Sequence, residues 1–244
     1  MPRRLISPPS TSVFVCGVAR GGTSLLAQLL ESTGVVGRPR EWFWRDDVER
    51  NMRAWGVTSW DEYLDRVLER ATTPNGVLGS KLMWGYLDEL LFRLRIRTRE
   101  YEADDLAVLE AVFPRPRFVW TRREDEVAQA VSWAKAIQSG RWTASQEATG
   151  ELEFSFEEID WLHHEVRIHN GSWRRWFESQ GVEPFRLTYE ELCADREGTI
   201  LRVLDWLGLE PHPGARIEPP PELRKQADAV DADWAARYRA LMHE

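Results

Sequence analysis

The stretch VFVCGVARGGTSLLAQLL, residues 13–30, constrains this chain more than any other. An apolar run of strand type meets a glycine-rich turn, and Leu25, Leu26, Leu29 and Leu30 then share one helical face. Gly17, Gly22 and Ser24 stand at the spacing of a Walker A loop between a strand and a helix. Thr23 occupies the place of the lysine that reaches β- and γ-phosphates, which argues against ordinary ATP or GTP hydrolysis. What is left is a row of backbone N–H groups at a helix N-terminus, a ready seat for an anion. Arg20 adds a forked donor at the crest of the loop. The plainer alternative is a glycine-rich turn that packs and binds nothing.

Four segments read as buried parallel strands: residues 12–18, 77–82, 117–121 and 184–189. Helical spacing covers residues 23–33, 59–71, 124–139 and 156–179, then a helix ending at Gly208 and a polar one over 228–242. Ser59-x-x-Glu62 is a capping-box signature, and Gly34 is placed to terminate the first helix. The 156–179 segment is expected to break near Asn170-Gly171. Strands alternating with helices predict an α/β fold, a central parallel sheet of about four to five strands flanked by helices. One domain is expected over residues 1–244, with 1–11 as a flexible tail. Ligands of such sheets bind beyond the carboxyl ends of the strands. That directs attention to residues 17–24, 81–84, 122–132 and Tyr189.

The charge pattern narrows the partners. Of 32 basic side chains only Lys81, Lys135 and Lys225 are lysines, so any lysine chemistry rests on one of three residues. A formal net charge of −8 argues against nucleic acid as the main partner. Cys16 and Cys193 supply neither a disulfide framework nor a zinc quartet, which suits a reducing cytoplasm. The opening MPRRLISPPSTS lacks the apolar run of a signal peptide, and no apolar stretch approaches the ~20 residues of a membrane span. His163, His164 and His169 do not present an i,i+4 pair, so no metal is expected there.

A second basic element, TRREDEVAQAVSWAKAIQSGRW, follows the third strand. Arg122 and Arg123 sit at the strand end and Ser132 on the helix behind, so an arginine and a hydroxyl can converge on one phosphate. The bland alternatives are a solvated strand end and a helix surface displaying Gln129, Ser132 and Gln138.

These two segments, together with GRPREWF, TTPNGVLGSKLMW, GSWRRWF, RLTYEEL and LRKQADAVDADWAARYR, run in order over most of residues 13–239. In that arrangement the chain resembles the trehalose 2-sulfotransferase family. The loop and the double-arginine segment are the specific parts of the match. The resemblance implies a P-loop-type sulfotransferase fold and an enzyme using 3′-phosphoadenosine 5′-phosphosulfate (PAPS) without a metal. It would sulfate a hydroxyl of a carbohydrate or other small metabolite, releasing adenosine 3′,5′-bisphosphate (PAP), and could be a homodimer. It further implies that Arg20, Gly21, Gly22, Thr23, Ser24 and Leu25 hold the 5′-phosphosulfate. Arg123 and Ser132 would hold the 3′-phosphate, with Arg122 as the alternative in register. A donor anionic at two separate places needs two anion sites, and the chain offers two.

The resemblance also makes Glu41, in GRPREWFW, the general base, with Lys81 and Arg20 as the other catalytic residues. Its neighbours Trp42, Phe43 and Trp44 can desolvate it. Lys81 is expected as an electrophile aimed at the transferring group, or else as a snorkelling strand end. Trp84 is expected to line an acceptor pocket or the core, with Trp42 and Phe43 beside it. Tyr189 is placed to border the adenine, and Arg224 and Lys225 either close over the nucleotide or are surface charge. Where trehalose-specific members carry an amide and an acidic residue, this chain has Ala19 and Arg38. Arg38 and Arg40 are therefore expected to bring positive charge beside Glu41 and to favour an acceptor other than trehalose, such as an anionic one. The competing readings are a degenerate P-loop kinase or NTPase and a non-catalytic nucleotide-binding module.

Overall fold

The computed structural model describes residues 9–142, 146–218 and 229–242. Four strands are present among them: β1 (Thr11–Gly17), β2 (Val77–Met83), β3 (Pro116–Arg122) and β4 (Phe185–Thr188). All pair in parallel, in the order β2-β1-β3-β4. The α/β architecture expected from alternating elements is the one observed. Residues 1–8 of the expected tail lie outside the described residues. Its end is structured, because Ser10 N donates to Gly76 O at 2.7 Å and β1 starts at Thr11.

The helices are α1 (Thr23–Ser32), α2 (Arg45–Trp55), α3 (Trp60–Ala71), α4 (Trp84–Thr98), α5 (Asp105–Glu110), α6 (Glu126–Ser139), α7 (Phe156–Ser179), α8 (Tyr189–Ala194), α9 (Arg196–Leu207) and α10 (Ala229–Leu241). Strand alternation sends side chains to two cores. Phe14, Cys16, Leu78, Leu82, Phe118 and Trp120 pack on one face against α3, α4 and α7. Val13, Val15, Val77 and Val119 pack on the other against α1 and α9. A third, smaller core joins α10 to α6 and α7 through Trp234, Ala235 and Tyr238.

Two local expectations are corrected. Helix α7 runs unbroken through Asn170-Gly171. A helical glycine costs about 1 kcal/mol. Burial of Trp173, Trp176 and Phe177 just beyond it outweighs that cost, at about 1.5–3 kcal/mol for a large apolar side chain. Ser59 does cap α3, accepting from Glu62 N at 3.2 Å, but Glu62 reaches back to Thr58 N rather than closing the box. The reciprocal box occurs at α8, between Thr188 and Glu191. Among the described residues, no helix is long and apolar enough to cross a membrane.

Candidate active site

β1 lies at the centre of the sheet, and the chain leaves it for β2 on one side and β3 on the other. Such a reversal opens a crevice at the carboxyl ends. The loop after β1 occupies it. Arg20 and Gly22 are left-handed, with φ of 61° and 92°. Gly22 precedes α1, and no side chain caps the helix. Three side chains fix the loop's carbonyls: Trp173 Nε1 donates to Gly17 O (3.1 Å), Gln129 Nε2 to Ala19 O (2.8 Å) and Thr121 Oγ1 to Gly21 O (3.2 Å). With its carbonyls taken by protein donors, the loop leaves the first-turn N–H groups of α1 for a ligand.

The first cluster forms where β2 ends. Lys81 is only 7% exposed, and its Nζ donates to Ser24 Oγ at 3.1 Å and to the Glu41 carboxylate. Glu41 reaches this place because the segment before it lies along β2: Arg40 bridges Ser80, and Lys81 N donates to Arg40 O at 2.9 Å. The approach needs glycine on both sides. A Cβ on Gly37 would stand 2.0 Å from Gly79 N, and one on Gly79 would stand 2.4 Å from Val36 O. A buried cation between a hydroxyl and a carboxylate can hold an anionic group while the carboxylate takes a proton.

The second cluster lies between the ends of β3 and β4 and α6. Arg20, expected at the 5′-phosphosulfate, turns its side chain here, its Nε donating to Ser132 Oγ (3.0 Å) and its Nη1 to Trp142 O (2.8 Å). Arg123 lies 5.1 Å over the Tyr189 ring, and its buried Nε makes no hydrogen bond but stands 4.0 Å from the Glu190 carboxylate. Burial pushes the Arg20 guanidinium pKa down and nearby Arg123 pushes it the same way, against Asp231 and Tyr189. Burial raises the Tyr189 phenol to about 12. Its ring lies against Gly22, where a Cβ would be 2.8 Å from Cδ2.

The residues named from sequence separate accordingly. Glu41, Lys81 and Ser24 come together, as do Arg20, Arg123, Ser132 and Tyr189. Arg122 does not join them; it extends over Trp120, 5.1 Å from the ring, because it follows Trp120 by two on β3. Gly21, Thr23 and Leu25 lie in the loop and first turn, Thr23 and Leu25 buried. Arg38 and Arg40 do not reach Glu41. Arg38 Nη1 donates to Arg70 O (2.7 Å) and Arg40 pairs with Glu31 (3.0 Å). Trp42 and Phe43 are core residues, 6% and 5% exposed. Phe43 also borders a cavity of about 360 Å³ between α2 and α4. Trp84 opens α4 and meets Trp173 edge-on at 5.3 Å. Arg224 and Lys225 lie outside the described residues. Thr121, Gln129 and Trp173, which hold the loop, carried no separable signal: each sits in an apolar or helical pattern that core packing explains equally well.

Residues 12–241 match the family described as Stf0 sulphotransferase. The chain belongs to that family. It is thus a sulfotransferase, and similarity extends to curated relatives. It is 30% identical to the trehalose 2-sulfotransferase of Mycolicibacterium smegmatis, over 96% of each chain. It is 29% identical to that of Mycobacterium tuberculosis, over 87% of this chain and 82% of the relative. Among solved structures, the sulfotransferase domain from the curacin biosynthetic pathway shares the fold with a TM-score of 0.50 at 12% identity, covering 97% of this chain and 99% of that one.

Proposed function

We propose that this sulfotransferase moves the sulfonyl group of PAPS to a hydroxyl of a carbohydrate or other small metabolite and releases PAP. The observation that carries the reading is the pairing of two anion-ready clusters across one crevice, the uncapped N-terminus of α1 beside Lys81 and the Arg20–Arg123–Ser132 group. The buried Nε of Arg123 makes no hydrogen bond, with Glu190 4.0 Å away, and can give one to a phosphate oxygen. The donor supplies an activated sulfonyl group. The first-turn amides of α1 and Ser24 hold its 5′ end; Arg123, Ser132 and Arg20 hold its 3′-phosphate; Tyr189 borders the adenine.

Glu41 takes the proton from the acceptor hydroxyl as the new S–O bond forms. Lys81 meets the negative charge that grows on the oxygen linking sulfur to the 5′-phosphate as that bond breaks. Lys81 also orients Glu41, since the two are hydrogen-bonded. The free Cys16 and Cys193 agree with work in a reducing cytoplasm. The relatives' name makes trehalose the first acceptor to test.

The test is transfer of labelled sulfonyl from PAPS into trehalose and into a metabolite extract, read by mass spectrometry, for wild type and Glu41→Gln. We expect a labelled product from wild type. Loss of the base should lower kcat by about 10²–10⁴-fold with PAP affinity kept. Unchanged turnover in Glu41→Gln would remove Glu41 from the mechanism.

A further inference from the structure

Of the three aromatics that follow Glu41, two are buried and Trp44 is 44% exposed. The turn that carries them is pinned from both sides. Trp42 Nε1 donates to Arg38 O (2.9 Å) and Gly79 O (3.2 Å), and the Tyr63 hydroxyl donates to Trp42 O. Trp44 then stands at the head of α2, its ring 6.1 Å from that of Tyr86. The Tyr86 hydroxyl donates to Lys81 O at 3.2 Å. An open indole face is therefore fixed one ring away from the strand end that carries Lys81.

Asp47, in the first turn of α2, completes the surroundings. Its carboxylate accepts from Arg50 and lies within electrostatic reach of both Glu41 and Lys81; burial pushes its pKa up, against the pull of Arg50. Beside one another, Lys81 pairs with the Glu41 carboxylate and Arg50 with that of Asp47. Arg38 and Arg40, the cations that sequence placed here, are held at Arg70 O and Glu31. Such a surface offers carboxylate oxygens to hydroxyl groups, while an incoming anion meets the negative charge of Asp47.

We propose that Trp44 and Asp47 form the acceptor-recognition surface, the indole face stacking on a neutral polyhydroxy ring and the Asp47 carboxylate accepting its hydroxyls and discriminating against anionic acceptors. This rests on the reading of Glu41 and Lys81 as the reacting groups.

The experiment measures labelled sulfonyl transfer by wild type, Trp44→Ala, Trp44→Phe, Asp47→Asn and Asp47→Lys. The acceptors are trehalose, maltose and glucose against glucose 6-phosphate and glucuronate, plus a metabolite extract, with PAP affinity measured for every variant. We expect wild type to favour the neutral sugars. Trp44→Ala should raise acceptor KM about tenfold, with Trp44→Phe recovering most of it and PAP affinity unchanged. Asp47→Asn should raise acceptor KM with kcat retained, and Asp47→Lys should shift the anionic-to-neutral ratio of kcat/KM by about tenfold or more. A wild type that prefers anionic sugars, or unchanged acceptor KM in both Trp44→Ala and Asp47→Asn, overturns the assignment and leaves sulfonyl transfer standing. So does transfer into the extract without transfer to any of the sugars. Absence of transfer to every acceptor removes the functional reading, and the acceptor surface with it.

Discussion

Lys81 and Arg123 show how differently two cations can serve one site. Lys81 touches both the loop hydroxyl and the carboxylate, so its removal leaves Glu41 without its partner and, in the proposed reaction, the bridging oxygen without a cation. Lys81→Met should lower kcat by about 10²–10³-fold, the loss seen when one oxyanion donor is deleted, with PAP affinity changed far less. Equal losses in both would place Lys81 in binding rather than chemistry. Arg123→Ala should weaken PAP binding by about 10–100-fold, the worth of a charged hydrogen bond, while Arg122→Ala leaves it within about twofold. Calorimetry with PAP decides between them. The sequence carried both arginines and could not choose, because which side chain turns into the crevice depends on where β3 ends. The aromatics after Glu41 posed the same problem. Their composition reads as a pocket wall, but only the pinning of Trp42 to Arg38 and Gly79 decides that Trp44 is the one left open. Arg38 and Arg40 misled because charge in sequence says nothing about which neighbour captures a guanidinium.

Contacts between elements decide whether those groups meet at all. The 36–41 segment lies on β2 only because neither Gly37 nor Gly79 carries a Cβ. Gly37 has φ of 70° as well. Gly79→Ala should therefore cost about 1–3 kcal/mol by overpacking and lower turnover further by displacing Glu41 from Lys81. A variant with wild-type Tm and wild-type kcat would refute the argument. Beyond its apolar core, helix α10 docks by polar contacts as well: Tyr238 donates to Asp160 Oδ1 at 2.7 Å and meets His163 Nδ1 at 3.2 Å, while Lys135 pairs with Asp231 at 2.7 Å. Burial lowers the His163 pKa, with Glu126 and Asp160 opposing and Arg167 and His164 assisting, and burial lowers that of His169 too. The unfolded chain then takes up these protons first, below its ordinary histidine pKa of about 6.5. Stability is fully present above that pH and is lost as pH falls toward the folded values. Thermal melts at about pH 7.5 and 5.5 should show a fall in Tm that His163→Gln makes shallower; parallel falls would exclude His163 as a cause. Strands were readable to within about a residue, since buried apolar runs bounded by glycine or charge have few alternatives. Helices α2, α4, α5 and α8 were not. The stripe of α2 is only Val48, Met52 and Trp55 in a charged run, α4 starts at Trp84 directly from β2 without a capping side chain, and α5 and α8 span six residues each, α8 opening at Tyr189 where a strand end was expected.

Across the sheet, each strand contributes at its carboxyl end: the loop from β1, Lys81 from β2, Arg123 just past β3 and Tyr189 just past β4. A ligand seated there touches elements far apart in sequence and should tie the fold together. PAP at about 100 times its Kd should stabilise the protein by about 2.7 kcal/mol, readable as a rise in Tm. Glu41→Gln should keep that rise and Arg123→Ala should lose most of it. No rise in wild type would argue that PAP does not bind this crevice. Arg20 gives the arrangement a property that neither cluster has alone. Its peptide belongs to the turn leading into α1, and its guanidinium is fastened to Ser132 on α6 and to the carbonyl of Trp142. A left-handed arginine backbone carries strain of about 1–2 kcal/mol, which that fastening holds in place. Arg20 therefore ties the two clusters directly to each other, like the fixed jaw of a caliper, and a nucleotide with only one anionic end should engage only half of it.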